Sequence, residues 1–372
     1  GRFDYHSTFL VNALSGEHAR VPAPHIWHAA FTHDGRTAYW LRPVGVRPQA
    51  FRAQLWYRQL DGDAKSIGTT IDVGPNADVT MTDDLSRVAV IDGNVLTIRD
   101  VARDRIVGSV KMPRTATAGR YSMYFIGPDI VRVLDQTPGA ARDESVALTV
   151  YEFDAPRRTL TKTGEATFAT KSLYVIATPD GSRLLARLYP SRSVALLDAR
   201  TAATLTAWPD GTVGGLPRLL ADGSLAGFLR GEGDALTFKT IAPNGTVVSE
   251  VKLPRAKFAW FARELAPGKV LVSLTEPGAK AFIIDVRRGV VEKSVDDLRI
   301  VSHTSTAADP RSASPDPSQP IVGVDANGSL VRWNPETGER TVIVKRGGER
   351  TSAAATAAAL LKLIQYAQIV LE

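Results

Sequence analysis

The residues able to do chemistry in this chain are few and scattered. The densest imidazole group is His25-Ile-Trp-His28, with His33 close behind. On an extended strand, residues three apart point to opposite faces, so His25 and His28 chelate one ion only if a bulge intervenes. The acidic pairs Asp83-Asp84, Asp143-Glu144 and Asp296-Asp297 fall in stretches that read as turns, where a carboxylate ordinarily faces solvent or bonds its own backbone. No Gly-x-Ser-x-Gly elbow, phosphate-cradling glycine loop or dinucleotide fingerprint is present, and no Asp-x-Asp-x-Asp calcium loop. The chain has no cysteine, which excludes disulfides, thiolate nucleophiles and thiolate-held metals. The expectation is a protein with no catalytic residues, no bound metal and no cofactor.

What must position any functional side chain is a repeat. Tight turns recur at His33-Asp34-Gly35, Thr82-Asp83-Asp84, Gly127-Pro128-Asp129, Pro179-Asp180-Gly181, Ala221-Asp222-Gly223, Ala266-Pro267-Gly268 and Ser314-Pro315-Asp316, about 47 residues apart on average. Each is followed by a second hairpin, such as Val194–Asp198 with Thr204–Trp208, Ala281–Asp285 with Val290–Ser294, and Leu330–Asn334 with Thr341–Val344. Apolar and β-branched runs bounded by Asp, Asn and Gly read as strands, so one unit is strand, turn, strand, loop, strand, turn, strand. An eighth second hairpin runs from Phe9 to Val21.

Two segments carry a resemblance. Ser172-Leu-Tyr-Val-Ile-Ala-Thr-Pro-Asp-Gly-Ser-Arg-Leu-Leu-Ala186 and Phe31-Thr-His-Asp-Gly-Arg-Thr-Ala-Tyr-Trp40 resemble the WD40-like repeat of bacterial TolB-type and surface-layer-type β-propellers. The Gly-His and Trp-Asp signatures of eukaryotic WD40 repeats are absent. The resemblance spans most of residues 25–345 and implies an all-β, seven-bladed β-propeller of four-stranded antiparallel blades. Eight blades is the alternative count. The domains expected are a propeller over 1–346 and a helical tail over 347–372. In the tail, Leu360, Leu361, Leu363, Ile364, Ala367 and Leu371 form an apolar face opposite Lys362, Gln365, Gln368 and Glu372. That pattern predicts an amphipathic helix that docks on the propeller, with membrane association through 351–372 as the alternative.

The chain carries 45 Lys and Arg against 39 Asp and Glu, a formal charge of +6. The basic residues are dispersed rather than gathered on one face, so a nucleic-acid partner is not expected. A propeller offers a funnel and two loop-rich ends on a rigid body. The expected function is therefore non-catalytic recognition or scaffolding of a protein partner or small ligand in the bacterial periplasm or outside the cell. The alternatives are a funnel-site enzyme (a metal-dependent lactone or ester hydrolase, or a quinoprotein-type dehydrogenase) and the soluble sensor domain of a membrane transporter. The candidate ligand-binding residues are His25, Trp27, Tyr121, Tyr174, Arg218, Trp260 and His303, all in first-strand regions.

Overall fold

The computed structural model describes residues 9–11, 18–20, 27–31, 37–43, 52–59, 65–72, 78–113, 120–139, 144–178, 180–191, 193–209, 212, 214–231, 235–275, 278–300 and 321–345. All regular elements among them are strands. A short hairpin pairs β1 (Phe9–Val11) with β2 (His18–Arg20). Seven four-stranded sheets follow among the described residues, each an antiparallel meander in chain order.

The first sheet is β3 (Trp27–Phe31), β4 (Thr37–Pro43), β5 (Arg52–Gln59) and β6 (Lys65–Asp72). The second is β7 (Asp78–Met81), β8 (Arg87–Asp92), β9 (Val95–Asp100) and β10 (Arg105–Lys111). The third is β11 (Arg120–Gly127), β12 (Ile130–Pro138), β13 (Val146–Asp154) and β14 (Thr159–Phe168). The fourth is β15 (Ser172–Ala177), β16 (Arg183–Tyr189), β17 (Val194–Asp198) and β18 (Thr204–Trp208). The fifth is β19 (Gly214–Leu219), β20 (Leu225–Arg230), β21 (Leu236–Ile241) and β22 (Val247–Leu253). The sixth is β23 (Phe258–Ala266), β24 (Lys269–Thr275), β25 (Lys280–Asp285) and β26 (Val290–Asp296). The seventh is β27 (Leu298–Ile300), β28 (Ile321–Asp325), β29 (Leu330–Trp333) and β30 (Arg340–Val344). These strands divide between two compact units, one holding β3–β18 and the other β1, β2 and β19–β30.

The strand positions follow from composition. Second strands are continuous apolar runs, such as Val88-Ala-Val-Ile91 and Val270-Leu-Val272, and they are buried on both faces. Fourth strands mix polar and apolar residues, and β10, β14 and β26 are mostly exposed or half-buried. Burial on two faces requires a sheet on each side. Within the first unit, Ile98, Met123, Val133 and Phe153 close the core between the second and third sheets. Leu134, Leu148, Val175 and Leu197 do so between the third and fourth. In the other unit, Phe228 and Phe238 meet edge to face at 5.4 Å within the core of the fifth and sixth sheets.

In all seven sheets the register between third and fourth strands shifts, so a bulge or irregularity marks each outer strand. At two of these bulges a glycine lets the outer strand lie against the next sheet. A Cβ on Gly108 in β10 would collide with the backbone of Ala155, in the turn between β13 and β14. A Cβ on Gly164 in β14 would collide with the backbone of Thr201, in the turn between β17 and β18. Each collision is with main chain, which cannot swing aside as a side chain can.

Gly108→Ala and Gly164→Ala are each expected to destabilise the protein by about 2–3 kcal/mol, the usual scale for overpacking. Gly245, unlike those two, has a positive φ, +85°, and nothing lies within 4 Å of a Cβ placed there. Gly245→Ala should cost only the left-handed backbone penalty of ~1–2 kcal/mol. Urea denaturation of the three variants checks the order.

Candidate functional site

The third-to-fourth strand turns share a construction. Asp100, Asp154, Asp198, Asp285 and Asn334 each open a turn and accept a backbone N–H two or three residues on. The turns close at Asp104, Arg158, Ala202, Gly289 and Gly338, all with positive φ. First-to-second strand turns use the same device: Ser86, Ser182 and Ser224 donate their N–H groups to Asp84, Asp180 and Asp222. These turn carboxylates are therefore bound to their own backbone. Hydroxyl bonds from Ser182 and Thr178 hold the Asp180 carboxyl below its ordinary value, and the Thr201 N–H and hydroxyl do the same at Asp198. Asp84 is lowered chiefly by the Thr82 hydroxyl.

A second layer of polar contacts links neighbouring sheets. Arg87 on β8 reaches Asp100 in its own sheet and Asp129 in the turn of the third sheet. Arg132 on β12 donates to the Gly181 carbonyl in the fourth sheet at 2.9 Å and to Glu152 at 2.7 Å. In the other unit, Glu264 on β23 accepts the backbone N–H of Ala221, in the turn of the fifth sheet, at 2.8 Å. These groups hold sheet to sheet.

The candidates read from the sequence divide. Trp27, Tyr121, Tyr174, Arg218 and Trp260 lie on β3, β11, β15, β19 and β23, the first strands of five sheets. His25 and His303 lie outside the described residues, as do the turn at Ser314–Asp316 and the tail over 351–372. In β3 the register shifts between Trp27 and Ala29, placing an irregularity at His28. Tyr121 is buried in the core between the second and third sheets, beside Met123 and Phe125. Tyr174 is half-buried and stands across from Arg187 on β16. Arg218 is also half-buried. Among the described residues, no three His, Asp or Glu side chains cluster as a metal site, and no helix is long and apolar enough to cross a membrane.

Two features were not singled out from the sequence. One is Arg187, whose guanidinium sits 4.5 Å from the centre of the Tyr189 ring while the residue is 7% exposed. Its signal was a cation inside the run Leu184-Leu-Ala-Arg-Leu188. The other is an open cleft of about 510 Å³ between β14 and the fourth sheet, walled by Phe168, Leu188, Ala195 and Trp208 with Thr167 and Ser193 at its polar positions. The walls of that cleft are mostly apolar.

Comparison with known proteins rests on structure alone. No protein-family model matches the chain, and no curated protein matches it. Among solved structures, the chain superposes on the dihydro-heme d1 dehydrogenase NirN at a TM-score of 0.55 and 15% identity, over 96% of this chain and 77% of that one. It also superposes on a eukaryotic initiation factor at a TM-score of 0.51 and 13% identity, over 78% and 83%. With the serial four-stranded meanders, these likenesses decide the fold. It is a β-propeller. Identities this low extend the likeness to the propeller fold and no further. The β-propeller domain of the Trilobed protease from Pyrococcus furiosus is a weaker match, with a TM-score of 0.44 at 14% identity over 90% and 87%.

The lowered carboxyls give the propeller an acid sensitivity with a fixed sign. Asp180 and Asp198 bind protons less readily folded than unfolded, so their contribution is fully present above the ordinary value of 3.8 and is lost as pH falls from there through the lower folded value. The Tm gap between wild type and Asp180→Asn/Asp198→Asn should be constant above about pH 5 and narrow steadily below pH 3.8. Differential scanning calorimetry between pH 2 and 7 measures it.

Proposed function

We propose that this chain is a non-catalytic recognition or scaffold domain that binds a protein partner. It is a bacterial propeller of the TolB-like kind, with seven blades over residues 1–346 and residues 347–372 as an amphipathic tail. It works in the periplasm or outside the cell. The observation that carries the reading is a set of exposed valines on successive outer strands. In the unit holding β19–β30, Val247 and Val248 begin β22, Val290 and Val291 begin β26, and Val342 is the middle residue of β30; all are 37–49% exposed. Three successive outer strands thus present branched aliphatic side chains to solvent, and recurrent exposed apolar groups on a rigid body suit a protein contact. The acids nearest the valines, Glu250 and Glu292, pair with Lys239 and Lys269 within their own sheets. The dispersed charge favours a protein over a nucleic acid. The neighbour that is a dehydrogenase shares the fold at 15% identity and lends no chemistry to this chain.

Val248→Glu/Val291→Glu changes only exposed positions, so its stability should stay within about 0.5–1 kcal/mol of wild type. Wild-type and variant protein, immobilised in parallel, are incubated with envelope extract of the source organism, and bound proteins are quantified by mass spectrometry. A defined protein held at least tenfold better by the wild type supports the reading. Identical bound sets, together with turnover of ester, lactone or dye-coupled alcohol substrates, would replace it with the enzyme reading.

A further inference from the structure

The three buried arginines among the described residues are Arg132, Arg187 and Arg263, at 8%, 7% and 4% exposure. Arg132 donates to the Gly181 carbonyl, the Tyr124 hydroxyl and Glu152, and Arg263 also has a partner. Arg187 differs. Its Nε is buried without an acceptor, as the Nε of Arg132 and of Arg263 also is, but no described residue forms a hydrogen bond or ion pair with any part of its guanidinium. Its described contact is the face of the Tyr189 ring.

A guanidinium cannot shed its charge to relieve burial, because it stays protonated throughout the accessible pH range. Burying an ion without a counter-charge or acceptor costs several kcal/mol, and the fold retains this one on a central strand. Stacking on Tyr189 engages one face of the guanidinium and leaves its in-plane N–H fork directed elsewhere, the geometry that grips two oxygens of one anion. The strand register supplies a second donor. Tyr174 on β15 is the direct cross-strand partner of Arg187, so both side chains project from the same face of the fourth sheet. No described residue bonds the Tyr174 hydroxyl. On the other flank the cross-strand partner is Val194, which is buried and offers neither charge nor donor.

We infer that Arg187, with Tyr174 beside it and Tyr189 stacked on it, is a binding site for a compact oxyanion, a carboxylate or phosphate group held through two of its oxygens. The inference goes beyond the protein-partner reading and does not depend on it, since a small anion alone should occupy the site. The narrow exposure of Arg187 limits the ligand to a small anion or one projecting group of a larger molecule.

The test uses the full chain in chloride buffer at constant ionic strength, titrated separately with sodium phosphate and sodium succinate. The wild type should show a saturable rise in Tm with at least one anion, about 3 °C at a hundredfold excess over Kd. A response to phosphate alone or to succinate alone supports the site and identifies which oxyanion it takes. Arg187→Met should abolish the response while melting no lower than wild type in chloride, because it removes an uncompensated buried charge. Arg187→Lys keeps the charge but not the fork and should weaken the apparent affinity at least tenfold, with Tyr174→Phe giving a smaller loss. The inference is overturned if neither anion gives a saturable shift. It is equally overturned if Arg187→Lys and Tyr174→Phe respond as strongly as wild type, whether or not Arg187→Met folds.

Discussion

The joint between an outer strand and the following sheet is the constraint on which the rest of this fold depends. In one unit it is made by Gly108 against Ala155 and by Gly164 against Thr201, reinforced by the Thr163 hydroxyl bonding the Arg200 carbonyl at 2.7 Å. In the other, Lys293 on β26 donates to the Pro335 carbonyl at 2.7 Å, at the same kind of turn in the seventh sheet. Outer strands are sheet edges, and an unprotected edge invites pairing with another chain. Here the bulge turns the strand off its ladder, and the neighbouring turn covers the place where the ladder breaks. Main-chain contact of this closeness sets the distance between sheets, and the apolar cores then fill the space that remains.

Inside that frame, the second strands meet one problem in two ways. Arg132 and Arg187 both interrupt an apolar run that is buried on both faces. Arg132 is satisfied by the next sheet's turn and by Glu152, and so becomes a tie between sheets. Arg187 lies closer to the opposite end of its strand, away from the turns, where its neighbours are Tyr174, Tyr189 and Val194. The same residue type is structural where a turn carbonyl is within reach and reserved for recognition where none is.

Much of the architecture was legible in the sequence because its signals are local. Asp180-Gly181-Ser182 turns the chain for reasons contained in three residues, and Val194–Asp198 pairs with Thr204–Trp208 as its alternation requires. The candidate site was less legible because faces depend on bulges. Tyr121 lies eight residues before Asp129 and Tyr174 six before Asp180, so simple alternation puts both on one face. The register of β11 shifts between Phe125 and Gly127, whereas β15 pairs without a shift. One extra residue exchanges the two faces. Tyr121 consequently packs into the core toward the second sheet, while Leu173 and Val175 take that role in the fourth and Tyr174 faces the other way. Nothing in the composition of Tyr121-Ser-Met-Tyr-Phe-Ile126 announces that shift.

The positive-φ turn positions carry a historical implication. Gly245, Gly289 and Gly338 hold it in the fifth to seventh sheets, whereas Asp104, Arg158 and Ala202 hold it in the second to fourth. Glycine accepts that backbone without strain and other residues do not. Copies of one ancestral unit would start alike and drift wherever a neighbour stabilises the bend by other means. Asp198 does so at Ala202, accepting two backbone N–H groups and the Thr201 hydroxyl within a single turn. The split between glycine and non-glycine closures follows the two compact units, as unequal drift of such copies would leave it.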